Sequence, residues 1–178
     1  MIQLSGVMWG MALVFAGIGY VRGLNRELIA TAGIILGLFA LFQFDDVLRG
    51  VLLANVPNDQ RFLVQAIIFI VIVYFAYQTR MVARRGSDRG DGRDRLQASV
   101  LGGLIGFLNG YLIWGSLWYF LHINDYPLSP FVLRPAAGSL SAETVGVLPM
   151  FVLTGPGGDG NLLALAVILL FIFVLILI

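Results

Sequence analysis

Arg22-Gly23-Leu24-Asn25-Arg26-Glu27 is a short polar break between two long uncharged runs, residues 2–21 before it and residues 28–44 after it. A run of about 20 apolar residues is long enough to cross the hydrocarbon core of a bilayer as a helix. Charges confined to the junction of two such runs mark a membrane hairpin with its tip at the water boundary. Arg22 and Arg26 stand four residues apart, where both guanidiniums reach lipid phosphates. Glu27 opens the second run, where a carboxylate favours the positive end of a helix. Arg22, Gly23, Arg26 and Glu27 are therefore taken as the hairpin motif. Two roles are open for Arg26 and Glu27: setting topology alone, or also making a specific contact with another loop or a partner.

Composition agrees with the hairpin. Charged residues are 12% of the 178 and hydrophobic residues 59%, with a mean hydropathy of +0.92. A soluble domain carries about 25% charged residues, so lipid must be the solvent for much of this chain. Met1-Ile2-Gln3 holds no basic residue and the first run is long enough to span, so it reads as a retained helix rather than a cleaved signal. Three further apolar segments follow, at residues 62–78, 98–121 and 162–178, the last ending without a polar anchor. Lipid satisfies no backbone hydrogen bond, so each must be helical. The expected fold is all-α: a single polytopic integral membrane domain over residues 1–178, with four core transmembrane helices and a fifth at the C-terminus.

The connections differ in character. In residues 45–61, Val47, Leu48, Val51 and Leu52 recur at helical spacing among Asp45, Asp46 and Arg49. That fits either a short interfacial helix ended by Pro57 or a plain solvated loop. Residues 80–97 hold six arginines and three aspartates among glycines, the composition of a solvated loop. The connection 122–161 is rich in Pro, Gly and Ser. It carries two apolar patches too short to span, which would lie on the bilayer surface or pack over helix ends. Eight arginines fall in the first and third connections and three (Arg49, Arg61, Arg134) on the other side. Positive charge marks the cytoplasmic face. The N-terminus is therefore expected outside, with a cytoplasmic loop at 80–97 and an external loop at 122–161.

Small residues form a second pattern. Gly102, Gly106 and Gly110 lie four apart along one ridge of the fourth span, and Gly33 and Gly37 repeat the spacing in the second, as do Gly6 and Gly10 in the first. Such ridges let helices approach closely in lipid. The first, second and fourth spans are expected to pack tightly, and the third and fifth to face more lipid. The ridge contacts could lie within one subunit, or between subunits around a pore. Gln43, Gln65, Asn109 and Ser116 are among the few polar residues inside the spans, and Asn109, beside the ridge near mid-helix, is the foremost candidate for a functional polar contact. No charged residue falls near the middle of a span, which argues against an ion-coupled transporter.

Nothing in the chain reads as an enzyme or a cofactor site. Cysteine is absent and His122 is the single histidine, so thiolate and multi-histidine metal sites are excluded. Gly155 to Gly160 fits G-x-G-x-x-G, but no βαβ unit surrounds it and no acidic residue follows. Asp45-Asp46 is an adjacent pair at a boundary rather than two converging carboxylates. No basic stripe interleaved with aromatics speaks for nucleic acid. The expected partners are the lipid bilayer and either further copies of the chain or other membrane proteins.

A hairpin reading Gly19-Tyr20-Val21-Arg22-Gly23-Leu24-Asn25-Arg26-Glu27, then a charged loop, then a helix with glycines at 102, 106 and 110, resembles the colicin V production protein family of bacterial inner-membrane proteins. The resemblance covers residues 1–135. Members often carry Asp-Arg where this chain has Ala98-Ser99, and a basic residue where it has Asn109. The resemblance implies a non-enzymatic protein supporting toxin export or envelope integrity, and it supplies no catalytic residues. A small oligomeric channel built on the glycine ridges is the alternative.

Overall fold

A computed structural model describes residues 3–78, 92–155 and 157–177, with side chains up to Ile172. Every regular element among the described residues is helical: α1 (Leu4–Arg22), α2 (Leu24–Gln43), α3 (Asp45–Val47) running into a π-helical turn (Leu48–Leu52), α4 (Asn58–Gln78), α5 (Gly92–Ile123), α6 (Leu140–Val145), α7 (Pro149–Thr154) and α8 (Asn161–Leu177). Four of them, α1, α2, α4 and α5, are long and apolar enough to cross a membrane. The fifth expected span, α8, has 17 residues and rises about 25 Å at 1.5 Å per residue, shorter than the other four.

The hairpin is tighter than its six polar residues suggest. α1 runs to Arg22 and α2 begins at Leu24, so Gly23 alone makes the reversal. Its φ of +80° lies in the left-handed region, which a Cβ would strain. The Gly23 amide closes α1 on the Gly19 carbonyl at 2.8 Å, and its carbonyl accepts from the Glu27 amide at 3.3 Å to open α2. Arg22, Arg26 and Glu27 are thus on helices rather than in a loop.

α5 is the other departure from the sequence reading. Of the charged segment 80–97, residues 80–91 lie outside the described residues, and the rest is already helix from Gly92. The 32 residues of α5 extend about 48 Å, well over a bilayer core. α1 lies antiparallel along it, with Met8 beside Gly115, Ala12 at Gly110 and Gly19 between Gly106 and Gly102. Gly102 also meets Gly23, so the turns before it stand clear of the hairpin tip, and residues 93–98 are exposed.

Glycine also brings α2 against α4: Cβ atoms at Gly33 and Gly37 would come within 2.6 Å of Ala76 and Ile72. The third span thus packs on the second by one face, while Ile67, Ile70, Val71, Tyr74 and Phe75 face outward. Gly6 and Gly10 share the same spacing but meet only open space. Spacing alone does not say which face of a helix is turned inward.

The main core joins α2, α4, α5 and α8 through Ile34, Leu38, Phe69, Leu112, Phe120 and Leu163. Phe69 and Phe120 meet edge to face at 5.6 Å. Over one end of the bundle sits a cap formed by the chain after Ile123. Ser139 caps α6 by accepting from the Ala142 amide at 3.2 Å. Pro149, at the start of α7, presses on Gly115. Of the two apolar patches in this connection, residues 145–153 pack over the helix ends with Leu148 and Met150 buried, while Phe131 and Leu133 are exposed. The segment after α2 is helical from Asp45 to Leu52 and stops before Pro57, whose carbonyl accepts from the Arg61 amide at 3.0 Å as α4 begins.

Candidate functional site: a carboxylate hub joining four helices

Glu27 is fully buried, at 0% exposure. A polar group in that position must be met by hydrogen-bonding partners. Three side chains from three other helices meet it. Arg22 of α1 donates from Nη1 to Oε1 at 2.8 Å. Tyr77 of α4 donates its hydroxyl to Oε2 at 3.2 Å. Asn109 of α5 donates from Nδ2 to the same oxygen at 2.8 Å and to the Glu27 carbonyl at 3.2 Å.

The surrounding groups fix the orientation of each donor. Thr31, one turn along α2, brings its hydroxyl within 2.7 Å of Asn109 Oδ1 and 2.8 Å of the Glu27 carbonyl. An Asn109 amide turned the other way would set its oxygen against the carboxylate, so the hydroxyl and the carboxylate together select one rotamer. The Arg22 guanidinium lies over the Tyr77 ring at 4.4 Å and gives a second bond to the Tyr77 carbonyl at 3.1 Å. Phe15 meets that ring edge to face at 5.8 Å. Arg22 pairs with Glu27 within the bundle, and both carboxylate oxygens of Glu27 and both ends of the Asn109 amide are met by other members of the hub.

The residues singled out in the sequence divide accordingly. Arg22, Glu27 and Asn109 come together in the hub, and Gly23 sets the turn that lets Arg22 reach Glu27. Arg26 is exposed, and no ion pair among the described residues includes it. Gly102, Gly106 and Gly110 hold α5 against α1 beside the hub, and Gly33 and Gly37 hold α2 against α4. Thr31 and Tyr77 carried no sequence signal: each is an ordinary residue in an apolar run, and only the packing of α2 on α4 brings Tyr77 to Glu27.

A second polar cluster lies at the cap end. Gln65, buried in α4, donates to Asp45 Oδ1 at 3.3 Å and accepts from Asn124 Nδ2 at 2.8 Å. Burial pushes the Asp45 carboxyl above its ordinary pKa; Arg49 offsets this and Asp46 adds to it. A cavity of about 420 Å³ opens here between Leu41, Phe42, Gln65, Tyr119 and Asp159. Among the described residues, no group of three or more metal-ligating side chains is close enough to hold an ion. Neither cluster presents a nucleophile beside a base, and the hub's chemistry is cohesive.

The protein-family model described as Colicin V production protein matches residues 4–137. The chain belongs to that family, a non-enzymatic one, and is a multi-pass inner-membrane protein. The match takes in all four spanning helices and the whole hub, and ends before α6. No curated protein and no solved structure matches the chain.

Proposed function

We propose that this chain is an accessory scaffold of the bacterial inner membrane that supports toxin export or envelope integrity, acting through helix and loop contacts with other membrane proteins. The observation that carries this reading is the saturation of the hub. Asn109, the polar residue nearest mid-span in α5, is bonded to Glu27 and Thr31 of its own chain. The glycine ridge beside it is likewise occupied by α1. Both supports favour cohesion within one chain over a pore lined by the ridge. The family resemblance supplies the link to export and envelope.

In this reading the N-terminus is outside. The hairpin and the charged segment before α5 are cytoplasmic, the cap is external, and α8 enters the bilayer from the cap side. The arginine asymmetry supports that orientation. The test is Asn109→Leu in purified, reconstituted protein. Stability should fall by about 1 kcal/mol, near the usual strength of interhelical polar bonds in membranes. Ion permeability of the vesicles should stay at background for both proteins. Reproducible single-channel currents from the pure wild type, altered by the substitution, would replace the scaffold with a channel.

A further inference from the structure

Phe131 stands out on the cap. It is 87% exposed, on a turn that is firmly built. The Ser129 amide bonds to the Tyr126 carbonyl at 3.3 Å, and the Phe131 and Val132 amides bond to the Leu128 carbonyl at 2.9 and 3.1 Å. Tyr126 anchors the turn from below: its ring is buried, and its hydroxyl receives Trp118 Nε1 at 3.2 Å. Arg134 closes the base by donating to Asp125 at 2.7 Å. The ring is thus held outward by structure on both sides of it.

The level of this tip follows from what lies under it. Val132 packs into a cluster of Met8, Trp118, Leu121, Tyr126 and Leu148. Met8 belongs to the opening turns of α1, and Trp118 and Leu121 to the closing turns of α5, so the tip sits at the rim of the spanning bundle. Nearby, the Ser5 and Ser141 hydroxyls meet at 3.0 Å, tying the start of α6 to the start of α1. Leu140, next to that tie, is exposed, as are Leu128 and Leu133 beside Phe131. At the same end of the bundle, Val7 on the first turns of α1 is also exposed.

We propose that Phe131, with Leu128, Leu133 and Leu140 around it, is a membrane anchor that inserts among the acyl chains of the leaflet on the cap side. The level of the tip, packed through Val132 beside the ends of α1 and α5, identifies the occupant. A stable protein partner needs about 800 Å² from each side, more than one projecting ring with three partly exposed leucines offers. Insertion at an interface takes only an aromatic and a few aliphatic side chains. The anchor requires that the four helices cross the bilayer, and it holds in either orientation.

With no native cysteine, Phe131→Cys can carry a single nitroxide label on the full chain in phosphatidylcholine–phosphatidylglycerol vesicles. Collision with oxygen, which concentrates in lipid, is compared with collision with a water-soluble nickel chelate. Gln97→Cys, on the exposed first turns of α5, is the water reference. At residue 131 the label should favour oxygen and lose nickel accessibility, the reverse of residue 97. Equal nickel accessibility at both positions would overturn the anchor, and shielding of residue 131 from both reagents would replace lipid with a protein cover. A second series keeps the native ring: a label at Leu133→Cys should gain nickel accessibility when Phe131→Ser is added. No change there would equally refute the anchor.

Discussion

Removing Arg22 while keeping Glu27 is the most searching perturbation of the hub. Arg22→Leu leaves a fully buried carboxylate with only two neutral donors. Breaking a buried ion pair from one side costs about 3–5 kcal/mol. The Arg22 side chain keeps 20% of its surface exposed, so water can partly follow, and the low end, about 3 kcal/mol, is expected. Glu27→Gln alone should cost about 1 kcal/mol, because the amide oxygen still accepts and Arg22 can turn to water. In the double variant no charge is stranded. What remains is the lost stacking of Arg22 on Tyr77 and its bond to the Tyr77 carbonyl, together about 2 kcal/mol. The double variant is therefore expected to be more stable than Arg22→Leu alone, with a coupling of about 2 kcal/mol. Reversible unfolding in mixed micelles titrated with dodecyl sulfate, followed by tryptophan fluorescence, measures all four proteins. A coupling below about 0.5 kcal/mol would refute the claim that Arg22 is there to neutralise Glu27.

Two glycines with equal spacing should respond oppositely to alanine. A Cβ at Gly106 would come 2.9 Å from the Gly19 Cα, and overpacking of that kind costs about 1–3 kcal/mol. Gly10 has open space around it, so Gly10→Ala should gain up to about 1 kcal/mol from helix propensity; a larger loss at Gly10 than at Gly106 in the same unfolding assay would mean that the outer face of α1 packs on a second copy. For topology, an impermeant maleimide should label Ala137→Cys from outside intact cells and Gln97→Cys only after the inner membrane is opened. Reversed labelling would invert the orientation.

The hairpin, the four long spans and the glycine contact of α5 were legible because each rests on local pattern: run length, sparse charge and spacing. The hub was half legible. Glu27 looked like a boundary residue because the second apolar run begins after it, whereas α2 already starts at Leu24. The Glu27 and Asn109 side chains meet across 82 residues, a distance no periodicity spans. The charges at Arg93, Asp94 and Arg95 looked like loop. Arg, Leu, Gln and Ala in that stretch are good helix formers, and after Gly92 nothing stops the helix. Gly6 and Gly10 show the opposite failure. Their pattern is the same as that of Gly102 and Gly106, but which face turns inward is set by neighbours that the helix's own sequence does not contain.

The single-residue turn at Gly23 bears on how the chain is made. Arg22 is joined to its counter-charge by five residues of sequence, so both are synthesised almost together. Once Gly23 reverses the chain, neither α1 nor α2 can slide or splay without breaking the bond between them. The pair can therefore leave the insertion machinery as one unit, with the Arg22 charge already met by Glu27, rather than as two helices released in turn. An isolated arginine at the end of α1 would otherwise wait at the edge of the hydrocarbon until Tyr77 arrived, much later in translation.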